Sequence, residues 1–526
     1  MSANSEEIVQ QIQDKFEALL RFASDASTEH APTAYEVERA LLHHLLEMGK
    51  MLLTLFFVSQ SKALRPAKVT TPQGQSLPYH SQKKKSYLSV FGKVSFPRSY
   101  YYQDQPGIQP SPYGSVQDTG PSAKGYFPLD ALLNLPKKGG SGLLREWREQ
   151  LAVYDPYHKA GGILATILGR KLAFSSRSLA EQIGEDAKQV QDYYDQAPAP
   201  LSNPSASILV VQADGKGVPM IKAEPEAGKV RLGKGEKAAR KKEAIVTCVY
   251  TMPPFLRTPE EVVNSFCYKS KTAYASKPEM GPQNKRWWAT LSGKASAIAF
   301  TRKQVQSQEG AHIQHRVALT DGSEPLQRQV QVQLPEFTLI LDLVHANEYL
   351  WEAANALLGE TVPERTDWVA RRTLQILSGK TQELIEEFRR IADAPSRMDP
   401  TASKAAKQKA LRKVAAYYER NLAYMQYDKY LAAGFPIATG VIEGACRHIV
   451  KDRCELSGMR WTQPGAEALL NLRCVSENGD FEGYHAYLRT KRQHGVDAQG
   501  ERVASNATLE DVARSSVQNT HLRLAA

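Results

Sequence analysis

Four acidic residues stand in sequence contexts that suit metal-assisted chemistry. Asp214 and Asp321 each follow a short apolar run and precede a glycine, and Asp342 ends a third apolar run. Glu443 follows Thr439, which could cap a helix whose first turn would contain Glu443. Carboxylates at the ends of neighbouring strands and one from a facing helix can converge on a single point. Because clustered carboxylates repel one another, this pattern favours a bound magnesium or manganese ion.

Each of these residues also has an ordinary structural explanation. Asp-Gly after a strand is a common turn, and a glutamate in the first turn of a helix is favoured by the helix dipole. The functional hypothesis therefore depends on the combination of the four and not on any one of them.

Composition sets broad limits on the class of protein. The chain has 526 residues, with 67 Lys and Arg against 56 Asp and Glu, so its formal charge is +11. That length predicts about three or four domains, and the positive charge permits an acidic partner such as DNA without proving one.

The five cysteines match no paired zinc pattern. The apolar run Met51 to Val58 is shorter than the ~20 residues of a membrane helix, and the polar start lacks a secretory signal. A reduced, cytoplasmic protein is expected.

Hydrophobic periodicity predicts the order of the elements. Residues 5–24 and 33–62 have helical spacing, and alternation around Gly92-Lys93 predicts a β-hairpin with Gly92 at the first turn position. The basic stretch 62–85 is interpreted as a linker. Four apolar runs then predict strands at 208–211, 244–250, 317–319 and 337–341, followed by an almost purely helical pattern over 346–430. Strands followed by helices favour an α/β domain with a mixed sheet.

We divide the chain into seven segments on this basis. They are an N-terminal helical region (1–63), a basic linker with a β-hairpin (64–125), a helical region with a helix-turn-helix candidate (126–200), the first part of the catalytic core (201–345), a helical insertion (346–432), the second part of the core (433–494) and a C-terminal tail (495–526).

Residues 178–190 have the spacing of a DNA-binding helix-turn-helix. Ala180 would let two helices approach, Gly184 would supply the turn, and Val190 would pack the second helix on the first. An ordinary helical pair explains the spacing equally well, and Glu185 and Asp186 would repel phosphate. If the motif is present, three residues lie on its recognition helix: Lys188, Gln189 and Gln191.

Two basic stretches are further candidates for contact with nucleic acid. Residues 228–235 nearly fit a phosphate-binding loop, but Gly235 stands where magnesium needs Ser or Thr, so a solvated basic loop is the better interpretation. Such a loop could lie along a phosphate backbone together with Arg240, Lys241 and Lys242. The hairpin residues 83–85 and 98–102 form a weaker candidate, since solvation of an edge strand explains them too.

The order Asp214, Asp321, Glu443, with a helical insertion before the glutamate, resembles that of bacterial DDE insertion-sequence transposases. The most similar family is the ISKra-type family, near the Mutator-like branch. The resemblance covers most of residues 85–475, and the stretch around Glu443 is its most specific part. It is carried by residues 211–215, 319–322, 341–345, 440–444, 451–453 and 457–461, and more weakly by 126–130 and 135–136.

The resemblance implies an RNase H-like mixed-sheet catalytic domain with an all-helical insertion, preceded by a mainly helical N-terminal DNA-binding region. Asp214, Asp321 and Glu443 would be the catalytic residues and would hold two Mg2+ (or Mn2+) ions. Asp342 and His345 match an additional Asp-x-x-His element and would be auxiliary, tying the insertion to the sheet or touching DNA. Alternatively, Asp342 is the ligand and Asp321 a turn residue, and His345 could be a satisfied core histidine.

Three arginines follow Glu443 and could serve the same site. Arg447 lies one helical turn beyond Glu443, where it could orient the carboxylate or neutralise phosphate, although an ordinary ion pair explains it equally well. Arg453 and Arg460 could likewise orient Glu443 or neutralise phosphate, and both are expected to contact DNA.

The expected function is therefore that of an insertion-sequence transposase. It would bind double-stranded DNA at the terminal inverted repeats, then cleave and transfer strands as a homodimer or larger assembly. A cytoplasmic, nucleoid-associated location without membrane contact is expected. The alternatives are a nuclease or resolvase with the same metal core but no strand transfer, and a non-catalytic DNA-binding protein derived from a transposase.

Overall fold

The computed structural model describes eleven stretches of the chain. The residues described are 5–24, 32–71, 74–103, 125–136, 140–169, 175–197, 203–221, 241–268, 281–394, 402–456 and 458–498. The basic loop 228–235, Arg240 and most of the predicted tail lie outside the described residues. The chain forms two compact units: unit 1 comprises Met1–Arg148, His158–Ser175 and His485–Ala526, and unit 2 comprises Glu149–Tyr157 and Ser176–Tyr484.

Unit 1 combines N-terminal helices with a three-stranded antiparallel sheet. Its core joins the second helix to the sheet, with the ring of Phe57 stacked on that of Phe96 at 4.2 Å between centroids. The elements, with sheet order β1-β2-β3, are α1 (Ser5–Ser24), α2 (Ala34–Ala63), β1 (Lys68–Thr70), β2 (Ser76–Ser89), β3 (Gly92–Tyr101) and α3 (Pro128–Leu132). Helices α4 (Gly142–Tyr154), α5 (Tyr157–Ile167) and α19 (Phe481–Ala498) have residues in both units.

The predicted helices of unit 1 are confirmed, but the predicted linker is wrong. The stretch 62–85 contains β1 and most of β2. The hairpin exists, yet Ser89 pairs with Gly92, so its turn is Val90-Phe91 and lies two residues before the predicted one. Gly92 instead opens β3 with a φ of 102°, a left-handed conformation that favours glycine.

Within the part of the chain that the structure describes, α2 is the one helix long and apolar enough to cross a membrane. The prediction from the sequence concerns only the uninterrupted apolar run Met51 to Val58 within α2. Core helices of soluble proteins have the same length and composition, and the stacking of Phe57 on Phe96 attaches α2 to the sheet of its own unit.

Unit 2 is built on a mixed five-stranded sheet, which confirms the α/β class. Its strands, in the order β6-β5-β4-β7-β8, are β4 (Ile208–Pro219), β5 (Lys241–Met252), β6 (Gln283–Thr290), β7 (His315–Thr320) and β8 (Thr338–Leu341). Strands β6, β5 and β4 are antiparallel, whereas β4, β7 and β8 are parallel. Four of the five were predicted, and β6 was missed.

Helices surround this sheet. Residues on one face of β4, such as Leu209 and Val211, share a core with Ile298 of α9 and Val330 of α10. The helices of unit 2 are α6 (Ser176–Asp186), α7 (Val190–Gln196), α8 (Pro259–Phe266), α9 (Lys294–Gln308), α10 (Glu324–Gln333), α11 (Leu343–Leu358), α12 (Glu364–Leu377), α13 (Thr381–Asp393), α14 (Ala402–Asn421), α15 (Tyr427–Ala432), α16 (Gly440–Ala445), α17 (Asp452–Cys454) and α18 (Gln463–Glu477). Helices α11 to α15 correspond to the predicted insertion.

The helix-turn-helix prediction is wrong in its geometry. Gly184 lies inside α6, which continues to Asp186. A 3-10 turn at Ala187–Gln189 then leads directly into the seven-residue α7. Lys188 and Gln189 therefore lie in this turn and not on a recognition helix, and α6 packs against α18 within unit 2.

Candidate active site

Three aspartates lie side by side across the parallel part of the sheet. Ala213 of β4 is in register with Thr320 of β7, and Thr320 is in register with Leu341 of β8. The next residue in each case is an aspartate: Asp214, Asp321 and Asp342. Parallel pairing without a register shift therefore brings the three predicted acids to one edge of the sheet.

Asp214 lies within a strand and not at its end. Strand β4 continues to Pro219 in pairing with β5, so the predicted end of the strand at Asp214-Gly215 is wrong, although the parallel pairing with β7 does stop at Ala213. One carboxylate oxygen, Oδ1, accepts the N–H of Gly215 at 2.6 Å. The other, Oδ2, lies 3.4 Å from the thiol of Cys446.

Asp321 occupies a real turn after β7. Its Oδ1 accepts the N–H of Ser323 at 2.9 Å, and its backbone carbonyl accepts the hydroxyl of Tyr417 at 3.0 Å. Gly322 has a φ of 82°, and a Cβ atom at this position would clash with the Tyr417 hydroxyl. Conformation and space both require glycine here, which holds the turn against the insertion helix α14.

Glu443 is carried by α16, which two side chains attach to the sheet. The amide of Gln212 on β4 accepts the N–H of Ile442 at 3.0 Å and donates to the carbonyl of Ala438 at 3.4 Å. The carboxylate of Asp342 accepts the N–H of Thr439 at 2.9 Å. The Thr439 side chain makes no capping bond, so the predicted side-chain cap is replaced by these attachments.

The helix that follows Glu443 is irregular. After α16 the chain makes a π-helical turn over Cys446–Lys451 before α17. Such wide turns interrupt the regular spacing of side chains along a helix and often occur at functional sites. Here the turn brings Cys446 to Asp214.

Asp342 and His345 form a buried pair at the start of α11. Asp342 is fully buried and caps the helix, because its Oδ2 accepts the backbone N–H of His345 at 3.2 Å. The same oxygen lies 2.6 Å from Nδ1 of the His345 ring. This hydrogen bond is the main cause that raises the pKa of His345 to about 9, against the opposing effect of burial.

The electrostatics of the site disfavour negative charge on two predicted ligands. Burial, followed by repulsion from Asp321, raises the pKa of Asp214. Burial, followed by repulsion from Asp342 and then Asp214, raises the pKa of Glu443, while His345 lowers it. The imidazolium of His345 therefore supplies positive charge among several carboxylates, where a metal ion would also be favourable.

The site contains one cluster of possible metal ligands. Of the described residues, one group of three has ligand atoms that all lie within 4.8 Å of one another: Asp342, His345 and Glu443. Asp214 and Asp321 lie outside that group, so the predicted metal set stays a prediction. Asp342 already uses both oxygens in hydrogen bonds, whereas the carboxylate of Glu443 makes no hydrogen bond or ion pair with any described residue. Available carboxylate oxygens suit magnesium or manganese.

The three arginines after Glu443 differ in their surroundings. Arg447 is exposed and its nearest acid is Asp452 at 3.8 Å, so it does not pair with Glu443. Arg453 is 1% exposed, which corrects its assignment to DNA: the guanidinium donates to the carbonyl of Ala152 at 3.1 Å and lies over the Trp461 ring. Arg460 is exposed, as its predicted role requires.

The remaining candidates for DNA contact lie at the surface of unit 2. Lys188 and Gln191 are exposed and Gln189 is partly buried. Lys241 is paired with Glu455, and Lys242 is partly buried on β5. Contact of these residues with phosphate stays a prediction.

Sequence reasoning missed three residues that shape the site. Gln212 has a usable signal, since it is a polar residue within an apolar strand, two positions before Asp214 and so on the same face. Tyr417 and Cys446 have no such signal, because their roles depend on contacts across the fold.

Comparison with protein-family models gives no match, and comparison with curated proteins gives none either.

Proposed function

We propose that this chain is a DNA transposase of the DDE type, which binds the terminal inverted repeats of its element and catalyses DNA cleavage and strand transfer. One observation carries the proposal. Asp214 and Asp321 lie next to each other at one edge of the sheet, and the helix that carries Glu443 is attached to the same strand as Asp214. The resemblance of the surrounding motifs to ISKra-type transposases points in the same direction.

An RNase H-like core is part of this proposal. It is supported by the mixed sheet and by the positions of the three acids. Asp214 lies on β4, Asp321 follows the parallel neighbour β7, and Glu443 lies on the later helix α16. The five helices that the structure describes between Asp342 and Glu443, α11 to α15, fit an insertion in such a core.

The chemistry assigned to the site is phosphoryl transfer. Asp214, Asp321 and Glu443 would hold magnesium, which when bound activates a hydroxyl for attack on phosphorus and neutralises the charge that develops. Asp342 and His345 would keep the start of α11 and the start of α16 in place beside these acids. No protein nucleophile is needed, in keeping with the raised pKa of the buried Cys446 thiol, whose burial disfavours the thiolate.

The partners follow from this chemistry. Double-stranded DNA would be bound by exposed basic residues such as Arg460 and Lys188, and two DNA ends would be paired by a homodimer or larger assembly. A nucleoid-associated location belongs to the same proposal.

Cleavage and joining of the element's own ends test the proposal. The full chain is incubated with labelled end DNA and Mg2+, alongside the variants Asp214→Asn, Asp321→Asn and Glu443→Gln. We expect cleaved and joined products with the wild type and a loss of at least ~100-fold in each variant, with DNA binding retained. Glu352→Gln is the matched control, because Glu352 is an exposed acid paired with Lys413 on the insertion.

Three other results would redirect the assignment. Cleavage without joined products would assign a nuclease or resolvase. DNA binding that is indifferent to all three substitutions, without cleavage, would assign a non-catalytic DNA-binding protein. Absence of both binding and cleavage with the element's own ends would overturn the transposase.

A further inference from the structure

Strands β4 and β5 continue as a two-stranded ribbon beyond the parallel part of the sheet. The parallel pairing of β4 with β7 stops at Ala213, whereas its antiparallel pairing with β5 continues to Pro219, which lies opposite Lys241. Asp214 is therefore the first residue of the ribbon on β4. The ribbon is a surface that starts at one of the proposed metal ligands and extends past the end of β7.

One face of this ribbon has its charges balanced within the chain. Side chains alternate between the two faces of a strand, so residues 241 and 243 lie on the face opposite to that of Asp214. On that face Lys241 is paired with Glu455. Glu243, its neighbour on the same face, is paired with Lys294 of α9. Positive charge on this side of the ribbon is therefore already neutralised.

The other face carries positive charge that no acid balances. Lys216 lies there, two residues after Asp214 and opposite the buried Ala244. It is partly buried, and it makes no hydrogen bond or ion pair with any described residue. Lys242 lies on the same face, opposite Val218, and it too has no ion pair with a described residue. Basic side chains therefore follow Asp214 along this face.

Asp214 is not the partner of Lys216. The two oxygens of its carboxylate contact the N–H of Gly215 and the thiol of Cys446. Burial is the main cause that raises the pKa of this thiol; Asp214 raises it further, and the positive charge of Lys216 lowers it. The ammonium group therefore acts on the thiol beside Asp214 without forming an ion pair there. A cation that is partly removed from water is unfavourable until an anion meets it.

We propose that Lys216 binds a backbone phosphate of the DNA strand that is cut, next to the scissile phosphate, and so holds that strand on the proposed metal ligands. The inference rests on the proposed function. Because a strand rises about 3.3 Å per residue, the Cα atom of Lys216 lies about 7 Å beyond that of Asp214. From there the long side chain offers a point charge with three N–H donors to the phosphate beside the one at Asp214.

The charge of the site explains why such a contact is needed. The clustered acids of the candidate site repel a phosphate backbone. Bound magnesium would offset this repulsion at the scissile phosphate, where the proposed ligands hold it. Lys216 lies outside the cluster, on the ribbon, and offsets the repulsion at the next phosphate along the strand.

Neutral phosphate analogues in the DNA test this contact directly. End DNA is prepared with one uncharged methylphosphonate at each phosphate near the cleavage site in turn. Binding is measured with Mg2+ in the Glu443→Gln background, which the proposed function expects to bind DNA without cutting it. We expect one position, next to the scissile phosphate, where the analogue weakens binding about tenfold and where it has no effect once Lys216→Gln is added.

Cleavage measures the same contact in the active protein. Lys216→Gln should cut normal end DNA about tenfold or more slowly, and Lys216→Arg, which keeps the charge, should keep most of the rate. Because Lys216→Gln removes a cation near the proposed metal ligands, its requirement for Mg2+ should not rise. Lys285→Gln is the matched control, since it changes an exposed lysine on β6 at the far edge of the same sheet, and it should behave like the wild type.

Several results would overturn the inference while the proposed function stands. They are a Lys216→Gln variant that cuts like the wild type, an analogue effect at no position that depends on Lys216, a loss of cleavage that additional Mg2+ restores, or an equal loss in Lys285→Gln. A wild type that does not cut its own end DNA overturns the transposase assignment instead. In that case an analogue effect that depends on Lys216 keeps the phosphate contact, and its absence overturns the contact as well.

Discussion

The side chain of Gln212 accepts the backbone N–H of Ile442 at 3.0 Å, although 230 positions separate the two residues in the chain. Gln212 is 1% exposed and also donates to the hydroxyl of Tyr250 at 2.9 Å. It lies on the same face of β4 as Asp214, and Ile442 precedes Glu443. One buried amide therefore fixes the distance between two of the three acids proposed for catalysis.

Replacing Gln212 by leucine should weaken both the fold and the metal site. The substitution leaves the N–H of Ile442 and the hydroxyl of Tyr250 without a partner, which costs about 1–3 kcal/mol in the free energy of unfolding. Because α16 is released from β4, the Mg2+ concentration for half-maximal cleavage should rise about tenfold or more. Urea denaturation and a Mg2+ titration of cleavage measure the two effects.

Tyr250→Phe is the matched control for this experiment. It removes only the hydroxyl bonded to Gln212 and leaves the attachment to Ile442, so its Mg2+ dependence should equal that of the wild type. A leucine variant that is less stable but has wild-type Mg2+ dependence would show that Gln212 supports the fold without positioning Glu443.

Replacing Asp214 by asparagine should stabilise the protein in the absence of metal. The pKa of Asp214 is raised by burial and by Asp321, so its ionised form is less favourable in the folded state than in the unfolded chain. Stability from this group is present at low pH and decreases as pH rises through the unfolded and then the folded pKa. At neutral pH the asparagine variant avoids that cost, and its melting temperature in EDTA should be higher.

Magnesium should make the wild type more stable than Asp214→Asn. At about 100 times its dissociation constant the ion stabilises a protein that binds it only when folded by ~2.7 kcal/mol. We expect that gain in the wild type and little of it in Asp214→Asn, by differential scanning fluorimetry with and without Mg2+. Equal stabilisation of both proteins by Mg2+ would remove Asp214 from the metal site.

The sequence predicted much of unit 2, because its strands are short apolar runs. Asp214 and Asp321 could be expected to lie together, since each follows such a run. Strand β6 could not be predicted in the same way. Its Trp287 and Trp288 are adjacent and follow polar residues, and the backbone N–H of Trp287 bonds with Asn478 instead of another strand.

The wrong predictions for Arg453 and Gly184 have a common physical cause. The environment of a side chain depends on elements far away in the chain, and local patterns do not record it. The sequence predicts a surface cation at Arg453, but Tyr157 and Trp461 pack around its guanidinium. The sequence predicts a turn at Gly184, but α6 continues through this residue and packs against α18.

His345 should make stability depend on pH in metal-free solution. The hydrogen bond to Asp342 raises the pKa of His345 from 6.5 to about 9. The stability that this pair contributes is therefore fully present below pH 6.5 and is lost as pH rises through about 9. Because the His345 side chain is 26% exposed, we expect a contribution on the order of 1–3 kcal/mol.

Urea denaturation in EDTA at pH 6 and pH 9.5 measures this contribution. The wild type should be more stable than His345→Gln at pH 6, and the difference should shrink towards zero at pH 9.5. A difference that is constant across this range would mean that the imidazole is not held in its protonated form by Asp342.

Substitutions of Arg453 and Arg460 should have different effects, the first on stability and the second on DNA binding. Arg453 is buried, with its guanidinium over the rings of Tyr157 and Trp461 and a hydrogen bond to the carbonyl of Ala152. Arg453→Gln removes this packing and should cost about 2–4 kcal/mol in the free energy of unfolding.

Arg460→Gln is the matched comparison, because it changes an exposed arginine seven residues later. It should leave the free energy of unfolding within about 0.5 kcal/mol of that of the wild type. It should also weaken DNA binding in a salt-dependent way, since a cationic side chain that neutralises a phosphate releases counterions from the DNA. Denaturation curves and DNA titrations at two salt concentrations measure both effects. If Arg453→Gln instead kept wild-type stability and lost DNA affinity, the guanidinium of Arg453 would have to leave the interior of the wild-type protein to bind DNA.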